Sequence, residues 1–231
     1  MITKLETVTH VRRLGAQVIG EELKTRLSSQ AVEFGLRCNL EQLPEPRPAK
    51  VPLTLERCEG PFEGFNAELE RTTGADYGRA LRRKRLHEKG VRTLHVTSNA
   101  DRTPVYVQWL ITPPDKRLLD QHDPGYWPPL KDDEVLLEFA YTFTPFRGLG
   151  VMTDAMGQLL RVGAALGAKS ALTYVLSDNI PSLRGCAKVG FDLDHVKAVS
   201  RRLGVHRSEI RPSSDADLQC WQQATAPRQP T

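Results

Sequence analysis

Residues 134–152 read EVLLEFAYTFTPFRGLGVM, and this stretch decides the fold. It begins with a run dense in apolar residues, as in a central strand that is covered on both faces of a sheet. A glycine turn at residues 147–150 follows, and an apolar periodic segment starts at Val151. The order predicts a strand over residues 134–142, a tight turn, and a helix over residues 151–166.

The turn has the chemistry of an anion-binding site. Helix N-termini expose unpaired N–H groups and the positive end of the helix dipole, which together favour phosphate. Gly148 and Gly150 let the backbone approach an anion closely, and Arg147 adds a positive charge. The same string between a strand and a helix is also compatible with a simple tight turn.

A second pattern lies about thirty residues downstream. A buried strand is predicted over residues 170–176, and Asn179 then opens a helix that ends before Gly190. Gly190 suits a helix C-cap, and Phe191 starts the next strand and packs back on the core.

Together the two patterns resemble the GNAT-type N-acetyltransferase superfamily, in which the glycine turn reads Gln/Arg-x-x-Gly-x-Gly/Ala. Arg147 and Gly150 match this turn, and Met152 stands where the family has Gly or Ala. The family's second signature is Asn-x-x-Ala, with Tyr seven residues and Gly-Phe eleven residues after the Asn. Asn179 begins a stretch that keeps this spacing, with Cys186 at the Tyr position.

The resemblance implies an α+β fold, a mixed twisted sheet whose central parallel strands splay apart and which helices flank. An acyl-CoA, acetyl-CoA or another, sits in the split as co-substrate, and its acyl group passes directly to an amine without a metal. The coenzyme contacts the strand before the glycine turn, the turn itself and the opening of the later helix. The residues assigned in this way are Phe139, Ala140, Tyr141, Thr142, Arg147, Gly148, Leu149, Gly150, Val151, Met152, Asn179 and Ser182.

Such a transfer needs a base, because an ammonium has no lone pair. Glu138 is the first candidate, since desolvation within an apolar strand raises the pKa of a carboxyl group. A solvent-facing or ion-paired side chain is the alternative for Glu138, and Glu134, at the start of the strand, is the second candidate base. Cys186 is the candidate acid in place of the family's Tyr, and a small buried thiol is its alternative.

The chain is expected to divide into three parts. Three prolines within residues 44–48 place a boundary there, because proline cannot continue a helix interior. Residues 1–48 are then an N-terminal extension, residues 49–212 the GNAT-like domain, and residues 213–231 a flexible tail rich in Pro, Ser, Gln and Ala.

Outside the two motifs, the pattern predicts further elements. The extension carries a helical stripe over residues 9–29 and a strand over residues 31–43, and it packs on the core or supplies a homodimer contact. Residues 51–57 form a first core strand. Residues 113–129, which contain prolines, form a long functional loop over the acceptor.

Composition limits the partners and the compartment. The 231 residues carry a formal net charge of +4, whereas nucleic-acid proteins usually show a stronger, clustered excess. A basic helix over residues 76–88 is therefore interpreted as a solvated face, with nucleic acid or an anionic acceptor as alternatives. The four cysteines lack C-x-x-C spacing, and the sequence has neither an apolar signal core nor an 18-residue apolar run. We expect a cytoplasmic protein with reduced thiols and no membrane span.

The expected activity is an N-acetyltransferase, or more broadly an N-acyltransferase, that acts on the amine of a small molecule, an amino acid or a sugar. The alternative is a catalytically weak domain that binds acyl-CoA and regulates or scaffolds another process. Met152 and Cys186 motivate this alternative, because both depart from the family's pattern at functional positions.

Overall fold

The computed structural model describes residues 28–122, 124–202 and 205–227. A sheet of eight strands runs through them in the order β2-β3-β4-β5-β6-β1-β7-β8. The strands are β1 (Ser28–Asn39), β2 (Thr54–Arg57), β3 (Leu94–Ser98), β4 (Pro104–Ile111), β5 (Glu134–Thr142), β6 (Ser170–Leu176), β7 (Asp192–Arg202) and β8 (Val205–Pro212). The helices are α1 (Gly64–Arg71), α2 (Gly74–Glu88), α3 (Pro113–His122), α4 (Val151–Ala165), α5 (Ile180–Lys188) and α6 (Asp215–Thr225).

The two central strands β5 and β6 are parallel, whereas all other neighbours in the sheet are antiparallel. Their pairing is confined to residues 134–136 of β5 and 170–172 of β6, although both strands continue beyond these positions. The carboxyl-terminal halves of β5 and β6 therefore splay apart. This confirms the α+β fold, with its mixed sheet and central split, that the resemblance implies.

Strand β5 carries a bulge at the split. The register with β4 shifts between Val107 and Trp109, and Phe139 takes a left-handed backbone with a φ of 57°. This conformation is unfavourable for a residue with a Cβ, but the Phe139 ring packs 5.7 Å from Trp109 and 5.8 Å from Trp127. The bulge tilts the following residues of β5 relative to β4.

Apolar clusters fill both faces of the sheet, which explains the density of apolar residues in the central strands. Helix α4 lies on one face so closely that a Cβ at Gly163 would stand 3.1 Å from Val135 Cγ2. On the other face, Phe65 of α1 stacks on Trp109 of β4 at 6.0 Å. The split thus opens between two well-packed layers.

Strand β1 belongs to the segment that was expected to form an N-terminal extension. In the structure it is instead part of the main sheet. It pairs with β6 on one side and β7 on the other, so it is an interior strand of the main sheet. Phe34 and Leu36 of β1 are buried in the core. The helix expected over residues 9–29 lies outside the described residues, apart from Ser28 and Ser29, which begin β1.

Three further expectations hold only in part. The expected first core strand is shorter, Thr54–Arg57, and lies at the edge of the sheet. The expected loop over residues 113–129 begins with helix α3, because proline is compatible with the first turn of a helix. The expected flexible tail contains α6, which a capping box at Ser214 starts and whose Trp221 is buried. None of the described helices is long and apolar enough to cross a membrane.

Candidate active site

Strand β5 leads into the glycine turn through a 3-10 turn at Thr144–Phe146. Gly148 and Gly150 adopt left-handed conformations, with φ values of 79° and 81°, and α4 begins at Val151. Left-handed backbone costs a residue with a Cβ about 1–2 kcal/mol, so both positions suit glycine. Both glycines are exposed, and the unpaired N–H groups of the first turn of α4 lie beside them. The turn has the geometry of an anion site at a helix N-terminus.

Arg147 follows the 3-10 turn after β5, and it is exposed. Its Nε–H donates to the carbonyl oxygen of Thr142 (3.3 Å), and its guanidinium lies 5.6 Å from the Tyr141 ring centroid. These contacts keep a positive charge between the strand and the glycine turn, where it can face an anion.

Residues 49–50, which follow the prolines, line the glycine turn. The sequence analysis did not predict this contact. Lys50 N–H donates to the carbonyl oxygen of Leu149 (2.9 Å), and Ala49 N–H donates to Asp154 Oδ2 (2.8 Å) in the first turn of α4. The backbone contact brings the exposed Lys50 beside the turn. The link joins residues about 100 positions apart, so local pattern gave no signal for it.

Met152 departs from the family's small residue without crowding the turn. Its side chain packs against α5, where a Cβ at Gly185 would stand 3.0 Å from Met152 Cε. Gly185 thus provides the space that Met152 fills, and the pair joins α4 to α5. The side chain lies between the two helices instead of over the N–H groups of the turn.

The edge of β5 that faces the split presents backbone groups. Phe143 N–H donates to Val105 of β4 (3.0 Å), and N–H groups alternate in direction along a strand. The N–H of Thr142 therefore points away from β4, towards the side that β6 has left. Ala140, next to the bulge, is exposed, and Tyr141 is half-buried. This edge can donate hydrogen bonds to a carbonyl oxygen in the split.

Glu138 lies at the start of the split and is buried. Its Oε1 accepts a hydrogen bond from the backbone N–H of Tyr174 (2.9 Å), and so bridges the diverging strands. Burial raises the pKa of Glu138 to about 8, although the nearby Lys197 and the Tyr174 N–H both act to lower it. With this pKa the carboxylate form, which can accept a proton, becomes populated as the pH rises through about 8.

A buried ammonium group lies near Glu138, and the sequence analysis did not single it out. Lys197 of β7 is fully buried and pairs with Glu33 of β1 (2.8 Å between Nζ and Oε2). Its Nζ lies 3.7 Å from the ring centroid of Tyr126, 4.8 Å from that of Trp127 and 4.1 Å from that of Tyr174. Tyr126 and Trp127 come from the segment that we expected to cover the acceptor.

Glu134, the second candidate base, lies at the opposite end of β5 in an ion pair with Arg37 of β1. Burial favours the neutral acid, but hydrogen bonds from the Lys131 N–H and from Arg37 outweigh it and lower the pKa of Glu134. Glu134 also lies where β5 and β6 are still paired. Its contacts are those of a structural ion pair, not of a base in the split.

Cys186 lies in α5 within the core and is fully buried. Burial raises the pKa of its thiol to about 12, so the thiol holds its proton. These surroundings favour the alternative of a small buried residue over the role of an acid at the thioester. Among the described residues all four cysteines are free, and Cys220 is exposed.

We expect iodoacetamide to alkylate Cys220 in the native protein and to leave Cys186 unmodified. Alkylation requires an accessible thiolate, and Cys186 offers neither access nor a lowered pKa. Peptide mapping by mass spectrometry after native and denatured labelling measures the difference. Equal native labelling of Cys186 and Cys220 would contradict the buried position.

Asn179 and Ser182 open helix α5 beside the splayed end of β6. Asn179 is the N-cap, and its side chain accepts a hydrogen bond from Ser182 N–H (3.4 Å). Asn179 thus has the contacts of a helix N-cap. Arg184, one turn further, donates to the carbonyl oxygen of Ala224 (2.8 Å) and so ties α5 to α6.

The basic helix α2 shows both buried and solvated charges. Arg83 is buried, pairs with the buried Glu68 of α1, and lies 4.0 Å above the Tyr141 ring of β5. Arg79 is exposed and pairs with Asp76 on the same helix. Within the described ranges, no group of three or more His, Cys, Asp or Glu side chains is placed to hold a metal ion.

The comparison with known proteins rests on solved structures, since no protein-family profile and no curated protein sequence matches the chain. A GCN5-related N-acetyltransferase from Sphaerobacter thermophilus superposes with a TM-score of 0.50 at 13% identity, over 89% of this chain and 60% of that one. A GCN5-related glucosamine N-acetyltransferase region of a fungal multi-domain GH3 beta-N-acetylglucosaminidase gives a TM-score of 0.53 at 12% identity. That superposition covers 80% of this chain and 22% of that one.

The fold is thus of the GNAT type, and the predicted resemblance is confirmed for the fold. The chain spans less than two thirds of the length of either structure. At these identities the likeness concerns the fold, and the chemistry of the site has to be argued from the residues themselves.

Proposed function

We propose that this protein is an acyl-CoA-dependent N-acyltransferase that transfers an acyl group, acetyl in the simplest case, directly to the amine of a small molecule, an amino acid or a sugar. One observation carries the proposal. The bulged edge of β5 leads from the buried Glu138 through a 3-10 turn into the glycine turn, so that a proton acceptor and an anion site lie along one stretch of chain.

The residues along this path fit a CoA thioester. The N–H groups at the turn and the start of α4 suit a pyrophosphate, and Arg147 and Lys50 add positive charge beside it. The free edge at Thr142 suits the thioester carbonyl, where donors stabilise the negative charge that develops on oxygen. The coenzyme supplies the activated acyl group when it is bound.

Glu138 has the role of the base in this proposal. The nitrogen of the acceptor loses a proton as its bond to the acyl carbon forms, and Glu138 takes that proton. The bond from carbon to sulfur breaks, and the departing thiolate takes up a proton to leave as the thiol. Acid and base steps of this type contribute about 10²- to 10⁴-fold to a rate.

The test is thiol release from acetyl-CoA in the presence of an amine panel of amino acids, small amines and amino sugars. Glucosamine belongs in the panel because one structure of the same fold is a glucosamine N-acetyltransferase region. We expect at least one amine to release thiol and to gain the mass of an acetyl group. Acetyl-CoA binding without turnover on any amine would instead favour an acyl-CoA-binding regulatory domain.

We expect Gly150→Ala to weaken CoA binding about 10-fold or more. The added Cβ strains a backbone at a φ of 81° and points towards Ala49 Cα at 3.5 Å, so the turn shifts from the geometry that the phosphate needs. Isothermal titration of CoA measures the dissociation constant.

Gly167→Ala is the matched control, because Gly167 also has a positive φ (91°), and a Cβ there has open space around it. It follows the C-terminal end of α4, away from the turn. Both variants bear a similar backbone strain, and only Gly150→Ala should change the affinity for CoA. Equal affinities for the two variants would contradict the assignment of the turn.

A further inference from the structure

A buried ammonium group and the candidate base face the same side of the sheet. Lys197 of β7 is 0% exposed and is paired across the strands with Glu33 of β1. Glu138 is paired with Trp109 of β4, and the side chains of two paired residues point to one face of a sheet. Trp109 packs in the same buried cluster as Tyr174, whose ring centroid lies 4.1 Å from Lys197 Nζ. Lys197, Glu33 and Glu138 therefore lie on one face, around Tyr174.

Tyr174 lies between the ammonium group and the carboxyl group. Its backbone N–H donates to Glu138 Oε1 (2.9 Å), while its ring lies beside Lys197. Its hydroxyl lies 3.0 Å from His195 Nε2, in the space that Gly35 of β1 leaves for the imidazole. Tyr174 is thus held at its backbone and at its hydroxyl, and the two charged groups lie on either side of one fixed residue.

Glu33 is the counterion of Lys197. The two side chains are 13% and 0% exposed, and Glu33 Oε2 lies 2.8 Å from Lys197 Nζ. The Tyr126 hydroxyl donates to the other carboxylate oxygen of Glu33 (2.6 Å), and the Tyr126 ring centroid lies 3.7 Å from Lys197 Nζ. A buried ammonium needs such a carboxylate and such rings, because they replace its lost hydration. Both charges of the pair therefore occupy fixed positions beside the base.

The two charges act on Glu138 in opposite directions. Burial favours its neutral acid, the positive charge of Lys197 favours its carboxylate, and the negative charge of Glu33 again favours the acid. When Glu138 is ionised, two carboxylates share one ammonium, so the cluster carries one net negative charge away from water. When Glu138 is protonated, Lys197 and Glu33 neutralise each other. The pH at which Glu138 ionises thus depends on the balance between Lys197 and Glu33.

Other titratable groups face this cluster from the elements packed around it. They are Tyr126 before β5, Tyr174 of β6, Cys186 of α5 and Arg82 of α2, with His195 and Asp194 beyond the Tyr174 hydroxyl. Burial raises the pKa of both phenols and of the thiol, so these three groups stay neutral between about pH 6 and 9. Among charged side chains, Lys197 and Glu33 act most strongly on Glu138.

We propose that Lys197 and Glu33 are positioning residues that set the pH at which Glu138 becomes an active base. Lys197 stabilises the carboxylate form, and Glu33 limits that stabilisation by pairing with the same ammonium. The inference rests on the proposed acyl transfer, because it concerns the base of that reaction. Neither side chain touches the acceptor in this scheme, and both act through the charge of Glu138.

The first experiment measures thiol release from acetyl-CoA by the full-length protein between about pH 6 and 10, with the amine that gives the fastest release. Lys197→Met removes the positive charge, so the midpoint of the rise in kcat/KM with pH should increase by about one unit or more. Glu33→Gln removes the negative charge and leaves Lys197 to pair with Glu138, so the midpoint should decrease by a similar amount. The ionisation of the free amine is the same in every variant, and a general loss of packing would not produce opposite shifts.

Lys84→Met and Glu88→Gln are the matched controls. They make the same two changes in a pair on α2 whose side chains are 30% and 57% exposed, where solvent and salt screen the charges. Their midpoints should equal that of the wild type within a few tenths of a unit.

The double variant of Lys197→Met with Glu33→Gln keeps the inference testable if a single variant does not fold, because it removes both buried charges. Its midpoint should lie between those of the wild type and Lys197→Met, since Lys197 acts on Glu138 more strongly than Glu33 does. A midpoint at or below that of the wild type would contradict this balance.

A second measurement follows Glu138 without turnover. Carbon-13 NMR of the protein, labelled at the glutamate carboxyl groups, gives the titration midpoint of Glu138, whose signal is identified by its loss in Glu138→Gln. We expect the same opposite shifts in Lys197→Met and Glu33→Gln.

The outcomes separate the two proposals. Midpoints that stay at the wild-type value in both single variants, or that move in the same direction, would overturn the role of Lys197 and Glu33 and leave the acyltransferase standing. If the wild type gives no thiol release with any amine, the acyl transfer falls. The NMR midpoints then still decide whether these two charges control the ionisation of Glu138.

Discussion

Glu138→Gln is expected to lower kcat/KM for acyl transfer about 100-fold and to remove its rise with pH. The raised pKa of about 8 means that the active carboxylate form of Glu138 becomes populated as the pH increases through that value. The wild-type rate should therefore rise with pH and level off above about 8. Glutamine keeps an oxygen that can accept the Tyr174 N–H but cannot take up a proton. Rates of thiol release between pH 6 and 9 measure the effect.

Glu134→Gln separates the two carboxylates of β5. It removes the ion pair with Arg37, so we expect a lower melting temperature. The pH profile of the rate should keep its shape, because Glu134 lies at the paired end of the strand with a lowered pKa. A flat pH profile in Glu134→Gln together with a normal one in Glu138→Gln would reverse the assignment.

Arg83→Met is expected to lower the free energy of unfolding by about 3–5 kcal/mol, because it leaves the Glu68 carboxylate buried without its partner. Desolvation raises the pKa of Glu68 even though Arg83 acts to lower it. Without Arg83, the Glu68 carboxyl group should therefore bind a proton. The loss of stability should therefore be smaller at low pH, where the folded variant can carry a neutral Glu68. Urea unfolding at two pH values measures this.

Arg79→Met is the control on the same helix, since Arg79 and its partner Asp76 are both largely exposed. We expect its free energy of unfolding to change by no more than about 0.5 kcal/mol. The double change Glu68→Leu with Arg83→Met should recover most of the lost stability, because it removes both buried charges. Equal losses in Arg79→Met and Arg83→Met would contradict the buried pair.

Local signals in the sequence account for the centre of the fold. Strand β5 has its predicted bounds, because its apolar run follows one turn and ends at another. The glycine turn and helix α4 follow as predicted, since left-handed backbone at Gly148 and Gly150 requires no partner elsewhere in the chain. The cap at Asn179 was also open to prediction, because capping involves only the next few residues.

Positions that depend on distant partners were not open to prediction in this way. Glu134 and Glu138 are the same residue type on one strand. They are separated by the Arg37 ion pair at Glu134 and by the end of the pairing between β5 and β6 before Glu138. Strand β1 reads as part of an extension, yet it enters the middle of the sheet and brings Gly35 beneath the His195 imidazole.

The sequence by itself thus determined the strand, turn and helix that bind an anion in our proposal, because hydrophobic period and glycine conformation act within a few residues. Only the tertiary structure decided which carboxylate has a raised pKa, that Cys186 is buried, and how Tyr174 reaches His195. The reason is physical: burial and charge pairing are set by residues far apart in the chain, and they fix the pKa of a group more strongly than its own neighbours in sequence do.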